Sequence, residues 1–193
     1  MRATPWPEGA TTAPLLWQSN LSECYATIHD VPTSKLAQQT ELSLVLLMDR
    51  PKQQMLLQVP NTKLNWKFHF GCRGDGREVA DVLKSHGMEV QSLQNAGTML
   101  FSFPPRVHDP MRIHVLEAQV DSALSKAAGG VWTKFNDIPY TEMWADDILW
   151  LPWFVESDDP VNFEGHFIFD GPPGPNSGLV AHNCQRVDAM EKE

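Results

Sequence analysis

From residue 41 onward the chain alternates short apolar runs with polar breaks, at spacings that suit a strand-rich domain. Residues 41–48 (ELSLVLLM) are nearly continuous in apolar side chains, stop at Asp49-Arg50-Pro51 and are followed by a second apolar run over 55–59. That pattern predicts a hairpin of two buried strands. Residues 94–103 and 112–120 alternate or run apolar in the same way, joined by a proline-bounded turn over 104–110, and predict two more strands. Between them, residues 76–86 change to helical spacing, with Val79, Val82 and Leu83 on one side and Glu78, Asp81 and Lys84 on the other. The two ends hold neither period. Residues 1–40 scatter Pro5, Pro7, Pro14 and Pro32 among Thr, Ser and Ala and are expected to be an irregular extension. Residues 172–193, rich in Pro, Gly and Asn, are expected to be a disordered tail. A domain over 41–171 is the unit between them.

Residues 138–171 stand out within that unit. They carry Trp144, Trp150 and Trp153, the adjacent acids Asp146 and Asp147, and a strand-like run from Gly165 to Phe169. Two adjacent carboxylates repel each other and are costly to bury, so a chain that sets them among tryptophans exposes them or gives them partners. A purine is such a partner: its face stacks on indole and its edge offers N–H donors. This stretch therefore reads as one wall of a small-molecule pocket. The competing reading is a helix over 146–153, with Asp146 and Asp147 capping it, Ile148, Leu149 and Leu151 facing the core, and Pro152 interrupting it.

Composition narrows the partners. The 193 residues carry a formal net charge of -9, and Lys and Arg are not clustered, which argues against a grip on polymeric nucleic acid. A single nucleotide is compatible with that charge. The 42% hydrophobic fraction is adequate for one core. Cys24, Cys72 and Cys184 are odd in number and far apart, so neither a disulfide framework nor a zinc site is suggested, and a reducing cytoplasm fits best. No apolar run reaches the roughly 18 residues of a membrane span, so no membrane partner is expected.

The run Trp132-x5-Ile138-Pro139-Tyr140-x2-Met143-Trp144-Ala145-Asp146-Asp147-x2-Trp150-Leu151-Pro152, followed by Phe163-x-Gly165-x-Phe167-x-Phe169, resembles the C-terminal half of the Nudix hydrolases that destroy oxidised purine nucleoside triphosphates such as 8-oxo-dGTP. The resemblance implies an α/β protein, a Nudix α/β/α sandwich with a mixed central sheet. It implies that Trp144, Asp146 and Asp147 contact the base, that Mg²⁺ is the cofactor of an active enzyme, and that the products are a monophosphate and pyrophosphate. A monomer is expected.

The metal-binding half departs from the family. Residues 74–90 stand where the Nudix box belongs, yet several residues of its loop and helix entrance are absent. The box works because Mg²⁺ requires several hard oxygen ligands and carboxylates three or four positions apart share a helix face. If Gly87-Met88 closes the box, its key positions become Ala80, Asp81, Val82, Lys84 and Ser85, with one carboxylate. If Arg77-Glu78-Val79 is its centre, Glu78 and Asp81 are the candidate catalytic and metal-binding pair. The family's base-reading Asn falls at Lys67 or Phe68, and residues 125–130 (SKAAGG) replace an acidic loop. The expected function is accordingly a Nudix-type nucleotide-binding protein whose hydrolysis is weak or lost. The alternative is a catalytically dead remnant acting as an interaction module.

Overall fold

A computed structural model describes residues 40–58, 68–70, 76–104, 107–125, 130–174 and 176–187. The N-terminal extension expected over 1–40 lies outside these residues except for Thr40. The apolar runs form the strands expected of them. β1 (Thr40–Asp49) and β2 (Gln54–Gln58) make the predicted antiparallel hairpin, with Met48 opposite Met55. β3 (Phe68–Phe70) pairs the other half of β1's same edge. β4 (Val90–Ser102) and β5 (Met111–Val120) are the two central strands, followed by β6 (Gly130–Lys134), β7 (Phe163–Phe169) and β8 (Leu179–Arg186). The order across the sheet is β6-β2-β1-β5-β4-β7-β8. β1 with β5 and β4 with β7 are parallel and the remaining pairs antiparallel, so the sheet is mixed.

Strand periodicity sends alternate side chains to opposite faces, and each face has its own apolar cluster. Leu44, Leu46 and Met48 of β1 join Met99, Phe101, Ile113, Val115, Phe163 and Phe167 on one face. Val45 and Leu47 join Leu116, Ala118 and Val120 on the other. A helix covers each face. α1 (Gly76–Ser85) buries Val79 and Leu83 in the second cluster and leaves Asp81 and Lys84 in solvent, as its spacing predicts. α2 (Asp147–Glu156) buries Trp150, Leu151 and Phe154 in the first. The result is the α/β/α sandwich that the sequence implied.

Gly97 sets the joint between β4 and β7. It sits at a bulge in the β4–β5 ladder with φ of +146°, and a Cβ there would collide with the carbonyl oxygen of Phe163 and approach its ring carbon to 2.7 Å. Only glycine accepts both conditions.

Three expectations are corrected. The segment 172–193 is not a disordered tail throughout, because β8 lies inside it and pairs β7 along Phe163–Phe169. Its sequence, LVAHNCQR, lacks the β-branched density that signals a strand, and the backbone ladder with β7 supplies what propensity does not. The helix at Asp147 runs through Pro152 to Glu156 instead of being interrupted there. Pro152 lacks the N–H that would reach the Ile148 carbonyl, and the burial of Trp150, Leu151 and Phe154 around it carries the helix through. Nor does Ile148 face the core: the buried side of the helix is that of Asp147, Trp150, Leu151 and Phe154, and Ile148 is 57% exposed.

Candidate functional site

After β6 the chain makes two short 3-10 turns, Phe135–Asp137 and Tyr140–Glu142, and delivers Met143 and Trp144 to the start of α2. The structure brings Trp144, Asp146 and Asp147 together there. Trp144 is 7% exposed and lies on an aromatic floor, 5.6 Å from the Phe101 ring centroid at 33° and 5.8 Å from Phe169 in an edge-on contact. Phe103 stacks on Phe169 at 5.6 Å and extends that floor. Phe101 of β4 and Phe103, just past its end, lie on the face shared with Phe167 and Phe169 of β7, which the parallel register of these strands brings alongside.

Asp146 and Asp147 are both 0% exposed. The Trp150 indole Nε1 donates to Asp146 Oδ2 at 2.9 Å, one helical turn on, and Trp150 is itself stacked on Phe163 at 5.3 Å and 8°. Asp147 Oδ2 accepts the Trp144 backbone N–H at 3.2 Å. Asp146 occupies the N-cap position yet makes no side-chain cap bond, so this pair only partly fills the helix-capping role. The charges are felt around them. Burial, then the charges of Glu156 and Asp147, push the Tyr140 hydroxyl up to about 12. Burial, then Asp146, pushes the Cys184 thiol upward as well. Both groups are therefore neutral near neutrality and add no further negative charge beside Asp146, Asp147 and Glu156.

The other candidates stand apart from this wall. Glu78 belongs to α1, three residues before Asp81 and on the same side of the helix, and Asp81 is exposed to solvent. α1 packs on the sheet face opposite α2, so the strands separate Asp81 from the Trp144 wall. Among the described residues no three His, Cys, Asp or Glu side chains group as a metal site. Glu117, a further acid on the chain, is 1% exposed and its Oε1 accepts from Arg50 and Gln119. Of the positions opposite the family's Asn, Lys67 lies outside the described residues and Phe68 opens β3; residues 126–129 of the loop that replaces the acidic one also lie outside.

Sequence reasoning missed Phe101 and Phe103 as site neighbours, although the F-x-F spacing in a strand is a same-face signal. It missed Cys184, because β8 itself was not anticipated, and Arg50, whose partners lie 67 and 104 positions away.

No family model matches the chain. It is similar to an oxidized purine nucleoside triphosphate hydrolase of Danio rerio, 29% identical over 113 residues that cover 57% of this chain and 67% of that one. A protein of the same name from Mus musculus is 24% identical over 135 residues, covering 65% and 80%. Among solved structures, the MutT protein of Bacillus halodurans aligns with a TM-score of 0.49 at 15% identity, over 75% of this chain and 96% of that one. The chain thus resembles the oxidised-purine branch of the Nudix hydrolases, as its Trp144-Ala145-Asp146-Asp147 motif implied.

Proposed function

We propose that this protein binds purine nucleotides, those with an oxidised base foremost, through Trp144, Asp146 and Asp147, and that it hydrolyses them weakly or not at all. The observation that carries this reading is the joining of an indole and two fully covered carboxylates at one helix start, on an aromatic floor. Trp144 supplies a face for stacking, and carboxylate oxygens accept N–H groups from a purine edge. In a site this desolvated, a base that matches the acceptors gains charge-assisted hydrogen bonds, and one that does not leaves a carboxylate unmatched at a cost of about 1–3 kcal/mol or more. The names of the two relatives support the choice of an oxidised purine.

Hydrolysis in this family draws on Mg²⁺, which withdraws charge from the phosphates and activates water. The described donors on α1 do not fit it: Asp81 is one exposed carboxylate, where Mg²⁺ wants several converging oxygens. The second reading is the interaction module, favoured by the outward stripe of α2, where Ile148 is exposed and Pro152 and Val155 are half-buried. The net charge of -9 disfavours polymeric nucleic acid as a partner.

Thermal unfolding with 8-oxo-dGTP, 8-oxo-dGMP and dGTP, each with and without Mg²⁺, tests the proposal, since a ligand of the folded state raises Tm by mass action. The expected result is a rise with both 8-oxo nucleotides that does not require metal. A rise only with Mg²⁺, together with pyrophosphate release that Glu78→Gln/Asp81→Asn abolishes, would establish the enzyme instead. No rise at millimolar nucleotide would leave the interaction module.

A further inference from the structure

Arg50, in the turn after β1, reaches beneath the far end of α2. Its Nη1 donates to the carbonyl oxygens of Phe154, in the last turn of the helix, at 3.0 Å and of Ser157, its C-cap, at 2.5 Å. Its Nε and Nη2 donate to Glu117 Oε1 on β5 at 3.0 and 2.7 Å, and Gln119 Nε2 donates to the same oxygen at 2.6 Å. Glu117 Oε2 is buried with no hydrogen-bond partner. One guanidinium therefore ties the C-terminal end of α2 to the centre of the sheet.

That end needs a tie. A helix leaves its last carbonyls without donors, and cations there also complement its dipole. α2 has no basic residue in its last turn and contains Pro152, which removes one internal bond. Its apolar residues run all round it, so the hydrophobic pattern by itself marks no single buried side and leaves the helix's rotation to specific contacts. The start of the same helix, about 15 Å away for ten residues, carries Asp146 and Asp147.

We propose that Arg50 is a positioning residue for nucleotide binding: by anchoring the last turn of α2 to Glu117, it fixes where Asp146 and Asp147 stand against Trp144. The proposal rests on the nucleotide-binding reading above. Lysine does not substitute, since a single ammonium lacks the fork that spans Glu117 and the two carbonyls.

The test is made on the full chain with 8-oxo-dGMP. Arg50→Ala leaves Glu117 buried without its cation and destabilises the fold, so it is paired with Arg50→Ala/Glu117→Gln, which removes the stranded charge. The double variant is expected to recover most of the lost Tm yet to bind with a Kd raised about tenfold, an effect of about 1.4 kcal/mol. Arg50→Lys, which keeps the charge, is expected to weaken binding in the same direction. Recovery of native Kd along with Tm in the double variant would show that Arg50 merely stabilises the fold, and would overturn the proposal. Amide hydrogen exchange of Leu149, Trp150 and Leu151 reads the tie without any ligand. Faster exchange there in the double variant is expected, and unchanged exchange overturns the proposal. Absence of binding by the native chain would defeat the nucleotide reading alone, with the exchange measurement still deciding the tie.

Discussion

Trp144 is both a packing residue and the candidate stacking face, and its replacement separates those roles. Its contacts with Phe101 and Phe169 mean that Trp144→Ala opens a cavity, expected to lower stability by about 3–5 kcal/mol. Base binding should fall by a further ~1–3 kcal/mol, the loss typical of a base–aromatic stack. Calorimetric titration at a temperature where the variant is still folded measures the second quantity, and an unchanged affinity would reduce Trp144 to core. Asp147→Asn is cleaner. The amide oxygen can still accept the Trp144 N–H, so Tm should change little, whereas loss of the charge should weaken purine binding by about 1.5–3 kcal/mol. Equal affinity in that variant would place the base elsewhere. The clustering of these three candidate residues was legible in the sequence because they fall within four consecutive positions of unusual composition. Their floor was less so: Phe101 and Phe103 look like ordinary strand residues until β7 is laid beside them. Arg50 was illegible, since nothing local marks an arginine in a turn as the partner of a glutamate and two carbonyls far along the chain.

At the scale of elements, the apolar runs of β1, β2, β4 and β5 and the helical spacing of α1 announced themselves, because each buries a regular face in one of two clusters. β8 did not, since its residues are those of a loop and only the β7 ladder makes them a strand. A chain ended at residue 171, where sequence patterning places the boundary, should therefore be badly destabilised. It would strip the edge from β7 and uncover Phe167, which His182 covers with a stacked imidazole at 6.4 Å. A chain ended at 187, which keeps β8 whole, should be far more stable than the 171 form, and equal stability of the two would show β8 to be dispensable. The helix through Pro152 teaches the opposite lesson: a local breaker was overruled by the burial of Trp150, Leu151 and Phe154 around it.

For the whole molecule, buried titratable groups set the pH range. His166, hydrogen-bonded to Ser102 at 3.0 Å, and His182 are both held below their ordinary value of 6.5 by burial. The unfolded chain binds those protons first, so stability is expected to fall as pH drops below about 6.5. Asp49 acts at a lower range. Burial alone would push its carboxyl up, but hydrogen bonds from Ser122 and Lys52 outweigh it and hold the group well below 3.8, so its contribution is lost only on further acidification. At the alkaline end, Tyr140 resists ionisation to about 12, and stability should fall between pH 10 and 12 as the unfolded phenol ionises first. Denaturant midpoints of the native chain and of His182→Phe and Tyr140→Phe across pH 5 to 12 check this. Each variant should flatten its own limb, and a limb left as steep as in the native chain would assign it to other groups.

Gly97 carries a consequence for how this chain tolerates change. In a saturation survey of every position scored by cellular abundance, α1 should show two behaviours within one helix: Asp81 accepting most substitutions and Val79 few. Gly97 should accept none, since even alanine strains its backbone and meets the Phe163 carbonyl. A chain that no longer needed phosphate chemistry would thus be free to drift along the outer side of α1 while remaining bound at the one glycine where β4 lets β7 approach, so its mutational history would be written in the helix and not in the sheet.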